Sequence, residues 1–77
     1  MKIMFFGITK ELAGGPSLDV PLQPATVGEL RGWLMERYPA MKNLRAVMIA
    51  VNKTYAGDAQ PLAEGDEVAV IPPLSGG

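Results

Sequence analysis

A sustained helical period runs once through this chain, from Thr26 to Tyr38, and short apolar runs flank it on both sides. Val27, Leu30, Leu34 and Tyr38 recur at the spacing that lines one helix face. Thr26-Val27-Gly28-Glu29 has the T-x-x-E form of a capping box, which predicts the helix start. Pro39 predicts its end, because the residue before a proline is biased out of the α region. Trp33 is expected to flank the buried stripe, with Arg31, Glu36 and Arg37 on the wet side. Gly28 and Gly32 share a face and each weaken the helix by roughly 1 kcal/mol relative to Ala. They are read as a tolerated weakness in preference to a site of close approach. A single helix can cover only one face of a sheet, so a two-layer α+β domain is expected.

The flanking runs supply the sheet. Lys2 to Phe6 is apolar and aromatic and predicts a first strand, closed by Gly7. Thr9 to Ala13 has room for one helical turn before Gly14-Gly15-Pro16, a turn signal. Ser17 to Leu22 alternates and predicts a second strand that pairs with the first as a broad hairpin. Lys42 to Arg45 reads as a polar connector. Val47 to Val51 is the third strand, and Asn52 to Tyr55 turns the chain, with Asn52 suited to a left-handed backbone. Pro61-Leu62-Ala63 is expected to carry a short edge strand, Glu64-Gly65-Asp66 a tight turn, and Glu67 to Ile71 the last strand. The first, third and last runs are the most apolar and belong inside the sheet. The face away from the helix would expose residues such as Met4, Phe6, Met48, Ala69 or Ile71; the alternation alone leaves the parity open. An uncovered apolar face on so small a domain is expected to dock a partner.

Composition removes most autonomous chemistry. The chain has 77 residues, no Cys and no His. A Cys/His zinc site, a Ser-His-Asp triad, a Cys nucleophile and a histidine base are therefore all excluded. A chain of this size buries about 60% of the surface it exposes when unfolded, so its stability margin is a few kcal/mol. The net charge is −1 with no basic run, so no nucleic-acid partner is expected. Met1 to Phe6 is too short for a secretory h-region and no apolar stretch approaches spanning length, so a cytoplasmic chain with no membrane partner is expected. Asp58, Glu64, Asp66 and Glu67 lack the spacing of a calcium loop and read as a solvated turn, with no metal expected. Lys10, Lys42 and Lys53 read as solubilising charges, and Trp33 and Tyr38 as packing residues.

One group remains: the α-carboxyl of Gly77. After the last strand come Pro72-Pro73-Leu74-Ser75-Gly76-Gly77. Neither proline can donate to a ladder, and their fixed φ favours an extended exit. Gly76 and Gly77 give a tip without side chains, able to enter a channel that a Cβ would block. Fully extended, such a tail reaches roughly 20 Å. The expected organisation is a domain over residues 1–71 and a tail over 72–77. A carboxylate is a poor acyl donor until a partner adenylates it, after which AMP is a good leaving group. A sulfur donor would then give a thiocarboxylate, and a lysine amine an isopeptide. The nucleotide site belongs to the partner, since neither G-x-x-x-x-G-K-[ST] nor G-x-G-x-x-G occurs here.

The residues that remain distinctive resemble one family. Phe5-Phe6-Gly7 with Lys10-Glu11-Leu12-Ala13, Thr26-Val27-x-x-Leu30, Val51-Asn52-Lys53, and the closing run from Leu62 through Gly65-Asp66-Glu67-Val68-Ala69 to Pro72-Pro73-Leu74-Ser75-Gly76-Gly77 resemble the sulfur-carrier small subunits of molybdopterin synthases. The resemblance covers essentially the whole chain. It implies a ubiquitin-like β-grasp fold, a mixed sheet of four to five strands with one main helix on one face. It implies that an E1-like enzyme adenylates Gly77 with ATP and that a sulfur donor protein converts it to a thiocarboxylate. The large synthase subunit would then receive the tail and pass sulfur to cyclic pyranopterin monophosphate in molybdenum cofactor biosynthesis. By analogy Gly77 carries the sulfur and Gly76 gives access, while the chain itself binds no cofactor and is not an enzyme alone. The expected partner surface comprises Phe6, Met48, Ile71, Pro72, Pro73, Leu74 and Ser75. A sister carrier for thiazole or cysteine synthesis, a protein modifier conjugated through Gly77, and an inert interaction module stay open as alternatives.

Overall fold

The first and last strands of the chain lie side by side in the middle of one sheet. The computed structural model describes residues 1–20, 24–43 and 47–72. Along the chain run β1 (Lys2–Phe5), α1 (Ile8–Ala13), β2 (Ser17–Asp19), α2 (Val27–Arg37), a 3₁₀ turn (Pro39–Asn43), β3 (Met48–Val51), β4 (Thr54–Tyr55) and β5 (Val68–Ile71). The sheet order is β2-β1-β5-β3-β4. β1 and β5 are parallel, and the other neighbours are antiparallel. The three most apolar runs therefore take the three inner positions, as their composition predicts.

α2 starts where its cap predicts. The Thr26 hydroxyl accepts the Glu29 N–H at 3.2 Å. Its last turn closes when the Tyr38 N–H reaches the Leu34 carbonyl at 2.8 Å, immediately before Pro39. Val27, Leu30 and Leu34 are buried against Ile3, Phe5, Ile49, Val68 and Val70 from the sheet. At roughly 25 cal/mol per Å² of apolar area, this stripe and the inner strand faces carry most of the fold's stability. Tyr38 sits half-buried, its ring edge-on to Phe5 with centroids 6.0 Å apart, and Trp33 packs against the same core.

Several expectations are corrected. No strand forms over 61–63; Pro61 makes an isolated bridge to Thr26, and the extra edge strand is Thr54–Tyr55. The reason is the turn before it. Asn52 and Lys53 both have positive φ, 51° and 70°, which is the tight hairpin geometry that returns a chain directly onto the strand it left. Arg31 is not a wet-side residue: it is half-buried, bonds Asp58 through Nε at 2.9 Å and donates to the Val47 carbonyl. Gly28 is a site of close approach. Its N–H donates to the Asp58 carbonyl at 2.9 Å, and an added Cβ would lie 3.2 Å from that oxygen. Gly32 has open space around it, as expected. The helical turn expected at 9–13 is a longer one, ended by Gly14 in the left-handed region. The polar connector expected from Lys42 begins inside the 3₁₀ turn, whose Met41 is buried; Leu44 and Arg45 lie outside the described residues, as do Pro21 and Leu22 of the second run.

Candidate functional site

The strand registers settle the parity that alternation left open. Met4, Ala69 and Ala50 stand opposite one another in one row, and Ile71 and Met48 in the next. Phe6 extends that second row, its N–H donating to the Val70 carbonyl at 3.1 Å. These residues share the face turned away from α2, since Ile3, Phe5, Ile49, Val68 and Val70 take the other. Met4, Phe6 and Met48 are 47%, 46% and 40% exposed, and together they make an apolar patch of the kind that marks a docking surface. Ala69 and Ile71 are half-buried, and Ala50 is buried.

Across this face lies an apolar depression lined by Met4, Phe6, Val68 and Ala69, with Lys53 and Glu67 also on its walls. The two charged residues are of opposite sign. An apolar floor with a charged margin is the anatomy of a protein-docking patch. Lys53 and Glu67 are site residues that the sequence reading missed. The sequence carried no local signal for Lys53: a tight hairpin prefers Asn-Gly, and the positive φ of Lys53 follows from the pairing of β4 with β3.

The loop before β5 is held by Asp66. Its carboxylate accepts the Ala63 N–H at 2.8 Å and the Asn52 side-chain amide at 3.0 Å. These bonds, the Ala63 one foremost, hold the Asp66 carboxyl below the usual aspartate range, and slight burial opposes them. Asn52 in turn accepts the Glu67 N–H at 2.9 Å. The acidic residues here are thus partly spent on fixing the start of β5.

At the far end of β5 the chain reaches Pro72, half-buried beside Gly7. Of the residues expected to meet partners, the structure brings Phe6, Met48 and Ile71 onto one face and sets Pro72 at its edge. Pro73, Leu74, Ser75, Gly76 and Gly77 lie outside the described residues. Under Phe6 sits Thr9, fully buried. Its hydroxyl accepts the Phe6 N–H at 3.1 Å and faces the carbonyls of Phe6 and Val70. The sequence carried no signal for this role, since Thr9 sits in a short polar run. Among the described residues no group of carboxylates could hold a metal ion, and no helix is long and apolar enough to cross a membrane.

A sequence model described as the ThiS family matches residues 3–77. The molybdopterin synthase sulfur carrier subunit of Caenorhabditis elegans is 40% identical, over 100% of this chain and 96% of its own length. Among solved structures, small archaeal modifier protein 1 of Haloferax volcanii superposes with a TM-score of 0.80 at 26% identity, covering 96% of this chain and 97% of the other. The protein-protein complex of subunits 1 and 2 of the molybdopterin-converting factor from Helicobacter pylori contains a chain that matches with a TM-score of 0.70 at 27% identity, covering 99% and 96%.

Proposed function

The chain belongs to the ThiS family, and on that premise we propose that it is the sulfur-carrier subunit of a molybdopterin synthase. The observation that carries this reading is its full-length similarity to proteins named for that role. The Helicobacter complex supports a two-subunit assembly. The exposed face of Met4, Phe6 and Met48 supplies a surface on which a larger subunit can seat.

The chemistry runs through the Gly77 carboxylate. An E1-like partner transfers AMP from ATP to that carboxylate, releasing pyrophosphate. The sulfur of a donor protein attacks the acyl carbon, a C–S bond forms, and the C–O bond to AMP breaks. With a persulfide as the donor the product is an acyl disulfide; a second thiol then attacks the donor-side sulfur, a disulfide forms there, and the thiocarboxylate leaves. The charged tail then enters the large subunit, which supplies the catalytic side chains and delivers sulfur to cyclic pyranopterin monophosphate. The chain holds no cofactor of its own; ATP is the activating partner's.

The likeness to the small archaeal modifier protein of Haloferax favours a second reading, a modifier conjugated through Gly77 to lysines. Intact mass after incubation with an activating enzyme, ATP and a sulfur donor separates the two. Exchange of oxygen for sulfur on the chain is expected. High-mass lysine adducts without that exchange would replace this reading with the modifier, and an unchanged mass would contradict both. One residue added after Gly77 should abolish charging and leave the fold intact.

A further inference from the structure

Gly7 meets two separate demands. Its backbone lies at φ 57° and ψ −138°, where side chains rarely go. A Cβ built there would also stand 2.7 Å from Cγ of Pro72, with Cδ at 3.5 Å. Those are ring atoms, which cannot swing aside as the end of a flexible side chain could. Gly14 and Gly65 also have positive φ, at 82° and 90°, yet nothing lies within 4 Å of a Cβ at either. Backbone conformation therefore explains a glycine at all three positions, and the contact with Pro72 is particular to position 7.

Both sides of this contact are braced. The Gly7 carbonyl accepts the Lys10 N–H at 3.1 Å, which ties it into α1. Phe6 donates to both the Val70 carbonyl and the Thr9 hydroxyl. Ile71 stands in register with Met48 on the opposite side. Pro72, its φ fixed by its ring, thus sits against a braced backbone.

We propose that Gly7 is a positioning residue for sulfur transfer: its bare Cα is the seat for Pro72, the residue at which the tail that carries Gly77 begins. The inference rests on the sulfur-carrier reading, and its test separates the two. Gly7→Ala and Gly14→Ala are prepared as a pair, since both place a Cβ at positive φ and only the first strikes Pro72. Each chain is charged by the activating enzyme, then mixed with the large synthase subunit, and turnover is measured at saturating carrier alongside thermal midpoints. Both variants lose stability. Gly7→Ala loses roughly tenfold to a hundredfold in kcat with KM little changed, the scale expected when a reacting group is displaced by about 1 Å. Gly14→Ala keeps the wild-type kcat. Equal kcat for the two variants overturns the proposal. Failure of the wild-type chain to charge overturns the sulfur-carrier reading instead. A second readout stands apart from charging: the backbone amide shifts of Leu74, Ser75, Gly76 and Gly77 move in Gly7→Ala and hold still in Gly14→Ala. Unmoved shifts in Gly7→Ala also overturn the proposal.

Discussion

Asp66 shows how far one exposed side chain can reach. Its carboxylate gathers the Ala63 N–H and the Asn52 amide, while Asn52 holds the Glu67 N–H, so the turn and the entry to β5 share one short network. The folded-state pKa is lowered by those bonds. A group with a depressed folded pKa stabilises the fold at pH values above its unfolded pKa, and that contribution is lost as pH falls through the folded value. The urea midpoint of Asp66→Asn should therefore lie below that of the wild type at neutral pH. The two should converge well below the ordinary aspartate range. A gap that stays constant across that acid limb would show that the charge is irrelevant. Asn52 beside it was legible, because Asn tolerates a left-handed backbone. Lys53 was not: its φ of 70° follows from the hairpin that β4 closes, a long-range demand with no local signature.

At the scale of elements, α2 was the easiest to read and its neighbours the hardest. Cap, stripe and proline stop are all local, so the sequence could state them. What α2 touches could not be stated in that way. Gly28 and Gly32 look alike in the chain, yet the 56–60 loop crosses only the first, with Asp58 against its backbone. Gly32→Ala should raise stability by about 1 kcal/mol, the helix-propensity difference with no contact to oppose it. Gly28→Ala should forfeit that gain, because its Cβ would press on Asp58 and disturb the Arg31 ion pair beside it. Paired urea unfolding curves check this, and an equal gain at both positions would mean that the loop yields freely. The same contrast explains the strand errors. β4 exists because the turn at Asn52-Lys53 lays it on β3; Thr54 and Tyr55 both favour strands, but two residues are too short a run to announce one. Residues 61–63 satisfied the strand pattern but serve instead to bridge the entrance of α2, with the Leu62 N–H on the Ala25 carbonyl at 2.9 Å.

For the whole molecule, the ubiquitin-like β-grasp divides labour between the two faces of one sheet. The α2 side carries the core, and the other side displays Met4, Phe6 and Met48 where they add little to folding. That the first and last strands adjoin also fixes where β5 ends, beside Phe6 and Gly7. The displayed face and the root of the tail are therefore one contiguous region, and a partner seated on the face is held close to Pro72. Mutations on the two faces should then separate cleanly. Leu34→Ala empties a fully buried site and should cost about 3 kcal/mol, most of the margin of a domain this small. Phe6→Ser removes an exposed ring and should change folding by no more than about 0.5 kcal/mol. Binding should invert that order. Phe6→Ser should weaken association with the large synthase subunit by 1 kcal/mol or more, roughly five- to tenfold in Kd, as expected for an aromatic anchor. Leu34→Ala, measured on its folded fraction, should bind normally. Titration calorimetry with thermal unfolding on the same samples reads both axes. If Phe6→Ser bound as tightly as the wild type, the exposed face would not be the docking surface, and the proximity of face and tail would lose its meaning.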